Sequence, residues 1–325
     1  MAQECGQQAV GRLAPSPTGA LHVGNARTFL LAWLSIRKSG GRLILRVEDL
    51  DSPRIKPETT QYAIDDLHWL GLDWEEGPDR GGPHEPYVQT ARTAIYDEVL
   101  AELRSRELIY PCTCSRNDIA QAASAPHWEH EGFLYPGTCA QRTARDAESL
   151  PPGTFAWRFR TTDEVSRFLE RGREERTCDV KSELGDFVVA KKDGTAAYQL
   201  AVVVDDHAMD ITQVVRGDDL LASTYRQLQL YQALDWEPPE FFHVPLMIGP
   251  DGHRLAKRHG DTRISTLRGE GVTAERLIGW LACSAGIHPS ADPCTASSLI
   301  DRFDWEQVAD STPTVFDETS RNELR

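Results

Sequence analysis

Side chains with the types and spacing to do chemistry fall into four groups along this chain. The first lies in Ala9 to Ile36, AVGRLAPSPTGALHVGNARTFLLAWLSI. Ala9 to Ala14 can form a short strand, and Pro15, Pro17 and Gly19 forbid its continuation. From Ala26 onward, Phe29, Leu30, Trp33, Leu34 and Ile36 recur at helical spacing. The expectation is strand, rigid loop, then a helix whose N-terminus sits near His22-Val23-Gly24-Asn25. Unpaired amides and the positive dipole end make such a terminus an anion site. Gly24 has no Cβ to obstruct a ligand, and His22 can donate a hydrogen bond to a phosphate just outside the helix.

The second group, Glu48, Asp49 and Asp51, follows a strand expected over Leu43 to Val47. Ligands bind beyond the carboxyl ends of strands in a βαβ unit, so these carboxylates stand at a binding edge. The third group is the basic loop GPDGHRLAKRHG. Its Arg254, Lys257 and Arg258 suit a polyphosphate. The fourth is Cys112, Cys114 and, after 24 intervening residues, Cys139. A structural zinc ion takes four ligands in a tetrahedron, and imidazole chemistry nominates His127 or His130 as the fourth.

The elements that must position these groups read as α/β. Pro57 to Leu72 is an amphipathic helix and Gln89 to Leu108 another. Phe155, Trp157 and Phe159 mark one face of a strand. Asp193-Gly194 makes a hairpin turn, and the unbroken apolar run Leu200 to Val204 suits a central parallel strand. A strand over Ile211 to Val215, a helix over Ser223 to Leu234 and a strand over Phe242 to Ile248 complete the pattern. The 325 residues are 40% hydrophobic and 26% charged, an ordinary globular composition with room for two or three compact units. No apolar run approaches the roughly 18 residues of a membrane helix, and MAQECGQQAV has neither a basic start nor an apolar core. A cytoplasmic protein is expected. The net charge of −15 argues against a general nucleic-acid coat, though not against a local basic groove. The last 35 residues carry 8 acidic and 3 basic side chains and are expected to face solvent. Seven scattered cysteines suggest no disulfide framework.

The string Arg12-x-Ala-Pro-Ser-Pro-Thr-Gly-x-Leu-His-x-Gly closely resembles the "HIGH" region of class I aminoacyl-tRNA synthetases in its glutamate-specific form. Arg46-x-Glu-Asp-x-Asp resembles that family's second strand motif, and GPDGHRLAKRHG its "KMSKS" loop. The resemblance covers roughly residues 8 to 265. It implies a Rossmann-type parallel-sheet catalytic domain with an inserted zinc-bearing subdomain and a short C-terminal helical segment. The implied divisions are 1–110 and 185–250 for the two catalytic halves, 111–184 for the insertion, and 251–325 for the loop and helical segment. Glutamate would be held by Arg12, Leu13, Ala14, Pro15, Ser16, Glu48, Tyr198 and Arg216, with Glu48 on the substrate ammonium. Two arginines and a phenol suit two carboxylates. ATP, entering with Mg, would meet His22, Gly24, Asn25 and Lys257, and His22 and Lys257 would be catalytic. Arg254 and Ala256 depart from the loop's usual lysine and serine, and Gln199 replaces a common Asn.

Cys-Thr-Cys followed by Tyr-x-x-x-Cys, with the run Val202 to His207, resembles a stand-alone subgroup that glutamylates the queuosine of tRNA(Asp). For the zinc it implies Cys112, Cys114, Tyr135 and Cys139, with Tyr135 in place of the histidines. Only 65 residues follow Gly260, too few for a helical cap plus an anticodon-binding region. The resemblance implies glutamate, ATP and queuosine-bearing tRNA(Asp) as partners and activation of glutamate without tRNA, and a monomer is expected. The rival expectations are a truncated enzyme charging the 3′ end of tRNA(Glu) and a non-catalytic glutamate- or nucleotide-binding paralogue.

Overall fold

The computed structural model describes residues 8–17, 20–50, 57–122, 126–128, 132–170, 175–253, 255, 261–309 and 313–324. The first half runs β1 (Val10–Leu13), α1 (Val23–Lys38), β2 (Arg42–Leu45), α2 (Pro57–Trp69), then a 3-10 turn over Gln89–Arg92 into α3 (Thr93–Ser105). Next come β3 (Ile109–Cys112), α4 (Arg116–Ala122), β4 (Pro126–Trp128), β5 (Gly132–Phe133), β6 (Ala156–Phe159), β7 (Ser166–Leu169), β8 (Glu175–Cys178) and α5 (Val180–Glu183). The second half has β9 (Phe187–Ala190), α6 (Tyr198–Ala208), β10 (Gln213–Gly217), α7 (Leu221–Ala233), β11 (Glu240–Val244) and β12 (Met247–Ile248). It closes with α8 (Ile264–Gly269), α9 (Ala274–Ser284), α10 (Trp305–Ala309), β13 (Thr314–Val315) and α11 (Glu318–Glu323).

A four-stranded parallel sheet in the order β11-β10-β1-β2 is the frame. Because side chains alternate along a strand, each strand feeds two cores. Leu13, Leu43, Leu45, Val215, Phe242 and Val244 face one layer with α1, α2 and α9. Val10, Ile44, Val214 and Phe241 face the other with α3, α6 and α7. From β1 the chain moves to β2 on one side, and it returns through β10 to β11 on the other. The crevice between β1 and β10 is thus a topological switch point, where α/β sheets place their ligands.

α1 ends in a hydrogen-bonded cap: the Gly41 amide donates to Ile36 O and the Gly40 amide to Arg37 O. Gly40 takes φ +66°, which its missing Cβ permits. A separate antiparallel sheet, β3-β6-β9, carries the cysteine-bearing segment, and β7 pairs with β8 in a hairpin.

Two expectations are corrected. Leu200 to Val204 is not a strand but the middle of α6. An unbroken apolar run marks burial on all sides and does not distinguish strand from helix. Here burial continues through Asp205 and Asp206, whose partners are described below. The acidic C-terminal stretch is also more than a solvated end. Asp301, Asp304, Glu306 and Glu318 are exposed, yet Phe303, Val308, Phe316 and Leu324 are buried in the first core. Thr314 and Val315 pair with Met247 and Ile248. Among the described residues no helix is long and apolar enough to cross a membrane.

Candidate active site and metal centre

A cavity of about 1090 Å³ opens at the switch point. Its lining falls into two chemical sets. One is polar and charged: Arg12, Ser16, Glu48, Tyr198 and Arg216. The other surrounds the start of α1: Leu21, His22, Gly24, Asn25, Leu246 and Met247. Ala14 and Pro15 line it too, but Leu13 does not. The Leu13 side chain lies in the core and its carbonyl accepts the Arg46 amide at 2.9 Å.

Beneath the charged set lies a buried ionic network. Arg46 on the way out of β2 is fully buried and donates to Asp206 at 2.7 Å and to Glu48 at 2.9 Å. Its Nε lies 3.8 Å from Asp205. Asp205 also accepts from Arg92 at 2.6 Å and Gln89 at 2.9 Å. Arg12 Nε stands 3.7 Å from Asp206, while its Nη1 donates to the Val215 carbonyl at 3.1 Å. Three arginines thus face three carboxylates, and Arg216 is a fourth cation above them. Burial pushes the Glu48 carboxyl up, and the charges of Arg46 and Arg12 pull against it. An incoming ammonium would add to that pull. Burial also raises the Tyr198 phenol, so it stays a hydrogen-bond donor. Arg216 donates through Nη2 to Thr224 Oγ1 at 2.6 Å, and its Nη1 has no hydrogen-bond partner among the described residues.

His22 is the N-cap of α1. Its Nδ1 accepts from the amides of Gly24 at 3.1 Å and Asn25 at 3.4 Å, and the Asn25 side chain accepts from the His22 amide at 3.4 Å. An accepting Nδ1 leaves the ring proton of the neutral imidazole on Nε2. The expected unpaired amides are therefore already used: Val23 N bonds Thr262 O and Ala26 N bonds His22 O. An anion would meet the ring and the dipole rather than bare N–H groups. Gly24 also gives the ring room, since a Cβ there would stand 3.1 Å from His22 Cε1 and Nδ1, a tight contact.

Lys257, Arg254, Ala256 and Arg258 lie outside the described residues. Residues flanking them reach the cavity: Leu255 on one side and Asp261, Thr262 and Arg263 on the other line it. Arg263 forms an antiparallel bridge with His22, and the Ile264 amide donates to Leu21 O at 2.9 Å. Gln199 is turned to Ser223 and Gln227, at 2.9 and 3.1 Å, and is not part of the lining.

The thiols of Cys112, Cys114 and Cys139 lie within 4.8 Å of one another. Cys114 and Cys139 sulfurs are 3.7 Å apart, and Tyr135 Oη is 3.4 Å from Cys112 Sγ. Burial and the neighbouring Cys112 push the Cys114 thiol up to about 11. Burial acts the same way on Cys139, but hydrogen bonds from Thr113, Tyr135 and Cys114 outweigh it and bring that thiol down to about 7. These side chains could hold a metal ion. His130 and the side chain of His127 lie outside the described residues.

The sequence patterns give no role to Arg92 or Thr224, nor to Arg46, Asp205 and Asp206, although the last three fall within motifs named above. Buried charge inside an apolar run was the only available signal, at Asp205-Asp206, and it names no partner.

This geometry defines a class. Residues 8–320 match the family model for tRNA synthetases class I (E and Q), catalytic domain, and the chain belongs to that family. Within it, the chain is 48% identical to glutamyl-Q tRNA(Asp) synthetase of Rhodopirellula baltica, over 95% of this chain and 97% of that one. It is 42% identical to glutamate–tRNA ligase 1 of Halorhodospira halophila, over 92% of this chain and 67% of that one. A crystal structure of a glutamate tRNA ligase from Elizabethkingia meningosepticum, in complex with its amino acid, superposes with a TM-score of 0.81 at 28% identity, covering 98% of this chain and 69% of that one.

Proposed function

We propose that this chain activates glutamate with ATP and transfers the glutamyl group to queuosine at the wobble position of tRNA(Asp). The observation that carries the activation step is the set of groups that meet in the cavity. Arg12, Tyr198 and Arg216, two cations and a phenol, line it together with the Glu48 carboxylate. Glutamate, with two carboxylates and one ammonium, matches that set. Glu48 would take the ammonium, and Arg12, Tyr198 and Arg216 the carboxylates. The glutamate α-carboxylate oxygen attacks the ATP α-phosphorus, and the bond to the pyrophosphate oxygen breaks. His22 donates through Nε2 to the charge developing on the phosphate, and Lys257 steadies the leaving pyrophosphate. Positioning and charge stabilisation do the work, with no covalent enzyme intermediate. A queuosine hydroxyl then attacks the anhydride carbonyl and AMP departs. The higher identity to the glutamyl-Q relative supports this acceptor.

The test is labelled-glutamate transfer. Label should enter tRNA(Asp) carrying queuosine and not the same tRNA lacking it. Label on the 3′ end of tRNA(Glu) would replace this reading with an ordinary glutamyl-tRNA synthetase, and absence of ATP turnover would leave a binding paralogue.

The division expected from sequence belongs to the same reading: catalytic halves 1–110 and 185–250, insertion 111–184, and loop with helical segment 251–325. In the insertion, Cys112, Cys114, Tyr135 and Cys139 would hold one structural zinc. A tetrahedron with Zn–S bonds of about 2.3 Å has S–S edges of about 3.8 Å and S–O edges of about 3.5 Å. The observed 3.7 Å and 3.4 Å fit both edges. The ion would supply cross-linking of the two segments and lower the pKa of the Tyr135 phenol. Metal analysis should find about one zinc per chain, and chelation should lower the melting temperature. Cys139→Ser should lose the metal; retention of stoichiometric zinc would remove Cys139 from the set.

A further inference from the structure

We infer that Glu170 is a positioning residue for the amino-acid end of the cavity, acting on Arg216 through His243 and Thr224. The inference rests on the glutamate-activating reading above. Glu170 follows β7, in the region between the metal cluster and β9, and is 3% exposed. Its Oε1 accepts the His243 amide at 3.1 Å, and its Oε2 stands 3.8 Å from His243 Nδ1 and 3.7 Å from Arg176 Nε. On the far side of the same ring, His243 Nε2 lies 2.8 Å from Thr224 Oγ1 and 3.5 Å from Arg216 Nε.

Among the described residues, one proton arrangement lets His243 Nε2 accept from both Arg216 and Thr224. Arg216 has donors alone, so the His243 Nε2 facing it must present its lone pair. The ring proton then sits on Nδ1, which faces the Glu170 carboxylate at 3.8 Å. The Thr224 hydroxyl, which accepts from Arg216 Nη2, then donates to His243 Nε2. Hydrogen bonds run from the guanidinium through the hydroxyl to the imidazole, and the Glu170 carboxylate, at an ion-pair distance of 3.8 Å from Nδ1, favours the proton there by its charge. Protonating Nε2 instead would set an N–H against the Arg216 N–H and turn the Thr224 hydroxyl to its other acceptor, the Leu220 carbonyl at 3.4 Å. Packing fixes the parts: Phe168 meets the His243 ring edge-on at 5.7 Å, and Arg216 lies over Phe241 at 5.1 Å. With Nε and Nη2 held from behind, the Arg216 guanidinium is fixed at the cavity wall where a substrate carboxylate would meet it. Glu170 touches no substrate. It sets the tautomer that holds the arginine in place.

Glu170→Gln keeps the size and the acceptor for the His243 amide but offers an N–H to Nδ1, which reverses the tautomer. With the full chain in glutamate-dependent pyrophosphate exchange, this variant should raise KM for glutamate about tenfold, with KM for ATP within about twofold of wild type. His243→Gln can present a carbonyl oxygen to Thr224 and Arg216 without Glu170. In that background Glu170→Gln should add less than about twofold. Should Glu170→Gln fail to fold, Thr224→Val breaks the same chain and should raise the glutamate KM selectively. A glutamate KM unchanged in Glu170→Gln or in Thr224→Val, an equal rise for both substrates, or multiplying effects of Glu170→Gln and His243→Gln would overturn the inference alone. Absence of exchange in the wild-type chain would overturn the glutamate-activating reading and the inference with it.

Discussion

Replacing His22 with alanine should slow adenylate formation by about 10²–10³-fold, mostly in kcat. The size follows from losing one oriented donor to a developing charge. His22 also caps α1, so stability should fall by about 1 kcal/mol as the Gly24 and Asn25 amides lose their acceptor. The two effects separate cleanly. His22→Asn can restore the cap through its side-chain oxygen but presents no ring N–H at the cavity. It should recover most of the stability and little of the rate. Exchange kinetics alongside thermal melts decide the matter: a rate loss below threefold in His22→Ala would remove the ring from the chemistry.

Replacing Arg46 with leucine should have the largest effect on folding. The guanidinium is fully buried and contacts Glu48, Asp206 and Asp205. Removing it leaves buried carboxylates with too little positive charge, which typically costs about 3–5 kcal/mol. The loss should appear in urea unfolding as a lower midpoint at unchanged slope. Surviving protein should bind glutamate poorly, because Glu48 loses the donor that orients it. A cost under about 1 kcal/mol would mean that the network relaxes or takes in water, and its role in holding the site would fall.

These two residues mark what sequence could and could not reveal. The strand, Pro/Gly bend and helix around His22 were readable because proline, glycine and apolar spacing act locally. β1 and α1 form where those signals place them, and Arg12, Glu48, Tyr198 and Arg216 meet in one cavity. Arg46 reads in the sequence only as a strand residue of the motif beside Glu48. Its importance comes from Asp205 and Asp206, about 160 residues away in sequence, and those sit in the segment misjudged as a strand. Helix α6 explains both failures at once: only as a helix does the run bring both aspartates beneath the sheet, one to Arg92 and one to Arg12. The capping role of His22 was hidden for the same kind of reason, since a histidine nitrogen is an uncommon N-cap acceptor. The proximity of the Cys112, Cys114 and Cys139 thiols was suggested by spacing. Tyr135 entered only through the resemblance, because nothing in a tyrosine's neighbours marks it as a ligand.

Two arginines, a carboxylate and a phenol on one side, with a helix-capping histidine on the other, are held to meet around a single glutamyl-adenylate. Calorimetric titration with a non-hydrolysable sulfamoyl analogue of that intermediate is the most direct measurement. The analogue should bind at least about 10²-fold more tightly than glutamate or ATP alone, exclude both, and lose affinity in both His22→Ala and Arg216→Leu. An analogue bound no more tightly than either half, leaving the glutamate and ATP sites separately saturable, would contradict a shared site.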